Sequence, residues 1–458
     1  MKMLSVGQVS SNGQVEIIGE DKYCYLVKSK SKGAEGERTI NKKLLEEFVE
    51  FFRKYPNATS SDAREELSGK STIDKFEYGY NSTLTVMAKM VLENEKSLAK
   101  IQSKIALDKK YGPLQQIFYG APGTGKSFTV NKVTKVENHI RTTFHPDTDY
   151  ASFVGAYKPV QDRVELYDEL GQNIQINGKN VYKSQIVYKF VAQSFLKAYV
   201  EAWKKYALAK NDAPIKQFLI IEEINRGNCA QIFGDIFQLL DRNDYGFSVY
   251  PIHTDADMKK YLKEQLSGLT IGCSQEINNL LNKDSDRYRD YVNEVLEGDI
   301  FILPNNLYIW ATMNTSDQSL FPIDSAFKRR WEWKYMPIAN ENHNWYIEVG
   351  NNKYDWWSTV EAINAKIGTT TSSEDKKLGY FFAKPENGSI SADRFVSKVI
   401  FYLWNDVFKD YDFDDAIFND EKEGKLTFDK FFIKTGKDVV IAEEKVILFL
   451  KNLGISPL

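Results

Sequence analysis

The chain has 458 residues, of which 42% are hydrophobic and 27% charged, as in globular proteins with room for several domains. A formal net charge of −3 excludes a polyelectrolyte that binds nucleic acid over its whole surface. Three cysteines and four histidines without metal-ligand spacing argue against a zinc site. Without an apolar run of about 18 residues or a signal-peptide core, we expect a cytoplasmic protein with no membrane partner.

The first part of the chain, residues 1–105, is predicted to be a separate N-terminal domain of mixed or mainly helical structure. Alternating apolar and polar residues from Val15 to Val27 predict a small hairpin, and apolar residues at helical spacing predict helices after it. A basic cluster in this domain is either a solvated loop or an arm that contacts DNA or a partner. The cluster comprises Lys28, Lys30, Lys32, Arg38, Lys42 and Lys43.

Residues 120–127 read Gly-Ala-Pro-Gly-Thr-Gly-Lys-Ser, which fits the phosphate-binding loop pattern G-x-x-x-x-G-K-[ST]. An apolar strand precedes the loop and a helix-compatible segment follows it, as this motif requires. The glycines allow successive N–H groups to point at phosphate oxygens, and the helix N-terminus adds partial positive charge. Lys126 would reach the β- and γ-phosphates, and Ser127 would ligate Mg²⁺. The residues predicted to bind the nucleotide are Gly120, Pro122, Gly123, Thr124, Gly125, Lys126, Ser127 and Phe128.

Two other predicted strands end in polar residues. The apolar run from Phe218 to Ile221 leads into Glu222 and Glu223, as in a Walker B element. The first carboxylate would hold the Mg²⁺ shell, and the second would polarise the attacking water. A later strand ends at Asn314, which can orient the water beside Glu223, although an asparagine in a turn is common in itself.

Strands alternate with helices from residue 112 to about 338, the pattern of a parallel sheet. The predicted fold class is α/β, with a nucleotide-binding subdomain at 106–338 and a helical lid and C-terminal segment at 339–458. An insertion at about 254–296 interrupts the nucleotide-binding subdomain. It is polar and helical in pattern, either an exposed helical hairpin or an element that docks a partner.

Together these motifs resemble the AAA+ superfamily and, within it, the McrB family, the GTPase motor of McrBC modification-dependent restriction systems. The resemblance covers about 112–415 and is most specific in three segments. These are the extended Walker B segment 221–228, the Met-Asn-Thr-x-Asp-x-Ser-Leu sensor at 313–320, and the Arg-Arg-aromatic end of 327–331.

The resemblance implies an AAA+ P-loop NTPase core with a helical lid. It also implies homo-oligomeric rings, hexamers in this family, with nucleotide bound between subunits. The nucleotide would be GTP with Mg²⁺. ATP is an alternative, because the phosphate loop contacts the phosphates and not the purine base. An McrC-like nuclease subunit and DNA would be its partners. The implied residue roles are metal binding by Ser127 and Glu222, water activation by Glu223, sensing by Asn314, arginine fingers at Arg329 or Arg330, and a subunit-interface contact by Arg226.

The chain departs from the family pattern in three places. Glu222 replaces the usual aspartate, Gln318 stands where the family often has arginine, and the insertion is additional. Two other functions therefore stay open. One is a MoxR-like ATPase that remodels protein partners. The other is a nucleotide-gated scaffold that hydrolyses slowly, for which the longer side chain of Glu222 is the indication.

Overall fold

The structure is a computed structural model with three packed units, each built around its own apolar core. Within the part of the chain that it describes, no helix combines the length and apolar character needed to cross a bilayer. The described residues are 4, 6–11, 13–20, 24–31, 34–67, 80–106, 112–135, 138–209, 212–283, 287–315, 321–371, 373–409, 416–436 and 438–458.

The N-terminal unit packs a three-stranded antiparallel sheet against helices. Ile17 and Val27 of the sheet are fully buried together with Phe48 and Leu84 of the helices, because these residues recur at strand and helix spacing respectively. Its elements are β1 Val15–Glu20, β2 Cys24–Ser31, β3 Ala34–Asn41, α1 Lys42–Lys54, α2 Ser60–Leu67 and α3 Tyr80–Ala106.

The basic cluster of this unit is partly engaged by the fold. Lys42 Nζ lies 2.5 Å from Glu20 Oε1 and 4.9 Å from the centre of the Tyr25 ring. Lys32 lies outside the described residues. The Lys42 charge is therefore neutralised within the protein.

The central unit is built on a five-stranded parallel sheet with the order β14-β4-β13-β10-β5. Successive side chains of a strand point to opposite faces. Leu219 and Ile221 accordingly join the larger apolar core, whereas Phe218 and Ile220 join a smaller core with Trp310 on the other face. The strands are β4 Gln115–Gly120, β5 His139–Thr143, β10 Gln217–Glu222, β13 Leu307–Asn314 and β14 Glu332–Tyr335.

A long hairpin follows α5 Tyr150–Phe153. Its strands pair over eleven residue positions, and a smaller hairpin lies within its connection. The strands are β6 Gly155–Glu165, β7 Gln175–Ile176, β8 Lys179–Asn180 and β9 Tyr182–Ala192.

Helices and short turns complete the central unit. The Walker B strand is followed by the 3₁₀ turns Ile224–Arg226 and Gly234–Leu240 on either side of α7 Cys229–Phe233. The remaining elements are α4 Lys126–Thr134, α6 Ser194–Ala209, β11 Ile252–His253, α8 Ala256–Leu266, α9 Ser274–Leu281, α10 Tyr291–Leu296, β12 Ile300–Phe301 and α11 Ser325–Lys328.

A buried arginine ties the sheet to the chain around it. The Arg242 guanidinium donates to Gln115 Oε1 at 2.7 Å and to the carbonyl oxygens of Gly246, Pro304 and Leu307, each at 2.9 Å. Burial lowers the pKa of Arg242 to about 9 because desolvation disfavours the charged form. The four oxygens accept hydrogen bonds from the charged guanidinium, and these bonds hold together the sheet edge at which β4 and β13 begin.

The insertion at 254–296 forms α8, α9 and α10 and contacts the N-terminal unit. Asn279 Nδ2 donates to Asn94 Oδ1 at 3.0 Å, and Asn94 also accepts from Gln8 Nε2 at 3.2 Å. The ring of Tyr288 lies directly beside Gly7. The insertion thus connects two units of the same chain.

The lid combines helices with a small sheet of order β16-β15-β17. Trp356, Ile363 and Phe395 are fully buried in its core. Its elements are β15 Tyr346–Val349, β16 Asn352–Asp355, α12 Trp356–Thr371, β17 Ser389–Ser391, α13 Ala392–Phe395, the π-helical turns Val396–Ile400 and Leu403–Val407, the 3₁₀ turns Ala416–Phe418 and Phe428–Phe431, β18 Asn419–Asp420, β19 Gly424–Lys425, β20 Phe432–Thr435, β21 Asp438–Ile441 and α14 Glu443–Asn452.

Candidate nucleotide-binding site

The strand order brings the sequence motifs to one edge of the central sheet. Strands β4, β10 and β13 are parallel neighbours, so the loop after β4, the carboxylates after β10 and the asparagine that ends β13 all lie at the carboxyl edge. Ligands of open parallel sheets bind at this edge. The three motifs therefore form one site.

The phosphate loop turns through backbone conformations that favour glycine. Gly123 and Gly125 have φ values of +81° and +78°, in the left-handed region where a Cβ atom is costly. Lys126 Nζ donates to the carbonyl oxygens of Gly120 at 2.9 Å and Ala121 at 2.8 Å, and its side chain is buried. The ammonium group is thus held inside the loop, where phosphate oxygens would bind.

Glu222 is surrounded by groups that suit a carboxylate. Its Oε2 accepts from Ser127 Oγ at 2.9 Å and from Thr312 Oγ1, and its Oε1 pairs with the Arg141 guanidinium. A hydroxyl and a carboxylate in contact are the hard oxygen ligands that Mg²⁺ takes together with phosphate oxygens and water. Ser127 and Glu222 therefore fit a Mg²⁺ site, and the longer glutamate still reaches Ser127.

Glu223 has a strained backbone, with φ 55° and ψ 49°, a conformation uncommon for residues other than glycine. Its N–H donates to Thr312 Oγ1 at 3.3 Å, and its carbonyl oxygen accepts from Arg226 N–H at 2.9 Å. Its Oε1 accepts from Asn314 Nδ2 at 2.6 Å, and its Oε2 lies 3.6 Å from Arg226 Nε. The two predicted water-handling residues, Glu223 and Asn314, are thus in direct contact.

Thr312 and Arg141 are site residues that the sequence reasoning missed. Thr312 is two residues before Asn314 on β13, so strand alternation puts both on one face, and this signal was available in the sequence. Arg141 reaches Glu222 because β5 pairs with β10. That pairing is not visible in a local motif.

The three arginines differ in their freedom to act on another molecule. Arg330 is 8% exposed, pairs with Asp241 at 2.6 Å, and its guanidinium lies 3.8 Å from the centre of the Phe237 ring. Arg329 is 61% exposed and 3.3 Å from Asp241. Arg226 is half-exposed beside Glu223. Arg329 is therefore the more available of the two predicted finger candidates, whereas Arg330 is built into the fold. Gln318, with the rest of 316–320, lies outside the described residues.

The lid packs directly on the phosphate loop. Gly379 N–H donates to Pro122 O, and Phe381 N–H donates to Gly123 O, both at 2.8 Å. A Cβ atom on Gly379 would lie only 2.3 Å from the carbonyl carbon of Gly123. The close approach of the two backbones thus requires glycine at both positions.

Between the loop and the lid lies a cavity of about 490 Å³, within the range of small-molecule sites. Its walls come from the phosphate loop, the acidic and sensor strand ends, and the lid. The predicted residues Gly123, Gly125, Lys126, Ser127, Phe128, Glu223 and Asn314 line it, together with Thr312, Trp345, Phe381, Lys384 and Pro385.

The matching family model agrees with this geometry. Residues 115–331 match the AAA domain of the dynein-related subfamily. The phosphate loop, the acidic strand end and the sheet topology thus define an AAA+ P-loop protein.

Two curated relatives identify the family more closely. The chain is 34% identical over 316 residues to the YdiS component of the type II restriction enzyme BsuMI of Bacillus subtilis, covering 65% of this chain and 80% of YdiS. It is 22% identical over 334 residues to the EcoKMcrB subunit of a type IV methyl-directed restriction enzyme of Escherichia coli, covering 68% of this chain and 57% of that subunit. The chain belongs to the McrB-like family of AAA+ restriction-system proteins, which confirms the resemblance and the predicted fold class.

A solved structure of NtrX from Brucella abortus is also similar, at 9% identity over 88% of this chain and 76% of that chain. Its TM-score of 0.24 is too low to support any argument. The site described above therefore rests on the geometry of this chain and on its family.

Proposed function

We propose that this chain is a ring-forming nucleoside triphosphatase that hydrolyses GTP, or ATP in its place, and acts as the motor of an McrBC-like restriction complex. The observation that carries the proposal is the contact between Glu223 and Asn314 at the cavity wall, beside the phosphate loop. A carboxylate and a carboxamide so placed can hold and polarise a water molecule.

In the proposed reaction the phosphate loop and Lys126 bind the triphosphate, and Ser127 and Glu222 hold Mg²⁺. Mg²⁺ bound there would neutralise charge on the β- and γ-phosphates. Glu223 accepts a hydrogen bond from the attacking water and so polarises it. Asn314 fixes the orientation of the Glu223 carboxylate through its 2.6 Å hydrogen bond. Thr312 positions both acidic residues, because its hydroxyl donates to the Glu222 carboxylate and accepts from the Glu223 N–H.

Ring formation would complete the site with a residue from the neighbouring subunit. Arg329 is the better candidate for the arginine finger because its side chain is exposed and its ion pair with Asp241 is solvent-accessible. Replacing Asp241 by a phosphate of the neighbouring site as its partner would therefore cost little free energy. Arg226 is a second interface candidate. Arg330 would instead support the segment from which Arg329 projects.

The relatives support a role in restriction. One is a component of a restriction enzyme, and the other is a subunit of a methyl-directed restriction enzyme. By analogy the chain would work in the cytoplasm, in a hexamer, with an McrC-like nuclease subunit that cuts DNA. Turnover would drive movement on DNA or remodelling of the nuclease, as part of defence against foreign DNA such as that of phages.

The test is steady-state hydrolysis of GTP and ATP with Mg²⁺ by the purified chain, with assembly measured by mass. Glu223→Gln should bind nucleotide but lose turnover by at least about a hundred-fold, whereas the exposed control Glu341→Gln should hydrolyse normally. Equal turnover by Glu223→Gln would refute the assignment of the catalytic carboxylate. Binding without measurable turnover by the wild type would favour the scaffold, and turnover of ATP alone would favour the MoxR-like ATPase.

A further inference from the structure

Arg141 joins the acidic end of β10 to the helix that follows the phosphate loop. One arm of its guanidinium, Nη1, donates to Glu222 Oε1, and the other arm, Nη2, donates to Asn131 Oδ1. Asn131 belongs to α4, which begins at Lys126. The planar fork of arginine fixes the directions of both hydrogen bonds. The Glu222 carboxylate is therefore linked through Arg141 to the helix that carries Lys126 and Ser127.

The contact with Arg141 divides the Glu222 carboxylate between two kinds of partner. Oε1 pairs with Arg141, whereas Oε2 accepts from Ser127 Oγ at 2.9 Å and from Thr312 Oγ1. The side chains of Glu222 and Arg141 are only 14% and 29% exposed, so salt and water screen their ion pair less than a surface pair. The guanidinium thus holds one oxygen of the carboxylate while the other lies against the hydroxyl that fits Mg²⁺.

The length of Glu222 explains why such a restraint is needed. The usual aspartate has fewer side-chain torsions, so its carboxylate loses less conformational freedom when it meets a metal ion. A glutamate must be held at an additional torsion to present the same oxygen. Arg141 supplies this restraint at Oε1 and leaves Oε2 directed at Ser127.

The charge of Arg141 acts in the same direction as its geometry. A complex of Mg²⁺ with a nucleoside triphosphate stays anionic, because the triphosphate carries more negative charge than one Mg²⁺ neutralises. An unpaired Glu222 would repel this complex, whereas the pair with Arg141 compensates the carboxylate. Loss of Arg141 would therefore loosen the metal ligand and also leave its negative charge uncompensated.

We propose that Arg141, braced by Asn131, is the positioning residue that allows a glutamate to bind Mg²⁺ where an aspartate is usual. Neither residue is among the described residues that line the nucleotide cavity, so both would act through Glu222. Removing the partner of a metal ligand typically lowers metal affinity by about ten- to a hundred-fold. This inference rests on the proposed function and names the residues that set Mg²⁺ binding at its site.

The test measures the affinity of the full-length chain for GTPγS and ATPγS with Mg²⁺ by calorimetric titration. With the analogue that the wild type binds more tightly, Arg141→Met should weaken binding by about ten-fold. Asn131→Ala, a change at an exposed position of α4, should weaken binding by a smaller factor, because Arg141 keeps its charge and loses only its brace. Asn138→Ala, at an exposed asparagine just before β5, should leave the affinity unchanged.

A double variant separates positioning of the carboxylate from a general loss of structure. Glu222→Asp alone should weaken binding, since the shorter side chain draws away from Arg141. In the Arg141→Met background the same change should instead strengthen binding several-fold, because an aspartate needs less restraint. A change that only damaged the fold would not be rescued in this way.

Wild-type or tighter binding by Arg141→Met, or a further loss of affinity when Glu222→Asp is added to it, would overturn the inference. Thermal unfolding without nucleotide shows whether each variant is folded. If Arg141→Met is unfolded, Asn131→Ala decides, and wild-type affinity in that variant would equally overturn the inference. Failure of the folded wild type to bind either nucleotide with Mg²⁺ would instead overturn the proposed function.

Discussion

Thr312 links the two acidic residues of the site through one hydroxyl group. It donates to the Glu222 carboxylate and accepts from the Glu223 N–H, and its side chain is almost fully buried. A left-handed residue such as Glu223 persists only where its surroundings hold it. Thr312 supplies part of that support, so we regard it as a positioning residue of the proposed reaction.

Thr312→Val should therefore impair both stability and turnover. The change keeps the shape of the side chain but leaves Glu222 without one donor and the Glu223 N–H without its acceptor. Lost hydrogen bonds to charged groups cost about 1.5–3 kcal/mol. We expect a lower thermal midpoint, a fall in kcat of roughly ten-fold or more and a shifted Mg²⁺ dependence.

Two further variants separate positioning from simple stability. Thr312→Ser keeps the hydroxyl and should restore most of kcat, and Thr143→Val, an exposed threonine at the same sheet edge, should change little. If Thr312→Val lowered the thermal midpoint while kcat and the Mg²⁺ dependence stayed at wild-type values, the hydroxyl would have a structural role only.

The strands and the phosphate loop could be predicted because their signals are local. An apolar run that ends in a polar residue predicts a buried strand and its carboxyl end, and this is how Glu223 and Asn314 were found. The place of Arg141 could not be found in this way, since it depends on the pairing of β5 with β10. The roles of all these residues stay predictions, although the structure brings Glu223, Asn314 and the phosphate loop together.

In the lid, too, the sequence predicts the features that depend on neighbouring residues and not those that depend on distant contacts. The sequence predicts a helical lid, and the structure adds β15, β16 and β17 to its helices. Their four- and three-residue lengths leave little periodicity to detect. Nor does the sequence predict that the segment around Gly379 lies on the phosphate loop, because this contact joins residues about 260 positions apart.

Gly379→Ala tests the contact between the lid and the phosphate loop. The new methyl group would lie 2.3–2.5 Å from backbone atoms of Gly123 and Thr124, so one of the two segments must move. Overpacking of this kind costs about 1–3 kcal/mol. Weaker nucleotide binding and a lower thermal midpoint are expected, as measured by calorimetry and thermal unfolding.

Gly368→Ala is the matched control on the same lid. It lies in α12, and its new methyl group would meet only the end of the Lys377 side chain at an ordinary 3.5 Å. Alanine is favoured over glycine in a helix by about 1 kcal/mol. This variant should therefore be as stable as the wild type or more so. Unchanged nucleotide binding by Gly379→Ala would show that the lid is not held on the loop when nucleotide binds.

Among the described residues, contacts between the units include two different places. The lid meets the central unit at the phosphate loop, whereas the N-terminal unit meets it through the insertion, at Asn94 with Asn279 and at Gly7 with Tyr288. Both connections involve the central unit. Helices α9 and α3 therefore link the central unit to the N-terminal unit.

Loss of the second connection should free the N-terminal unit without affecting the site. Asn279→Ala combined with Tyr288→Ala removes one partly buried hydrogen bond, worth about 1 kcal/mol, and the ring against Gly7. Amide hydrogen exchange in residues 80–96 of α3 should become several-fold faster, while exchange in the phosphate loop stays at wild-type rates. Asn293→Ala, an exposed asparagine of the same insertion, should change neither. Unaltered exchange in α3 in the double variant would mean that the N-terminal unit is held by other contacts, and the insertion would then not be its anchor.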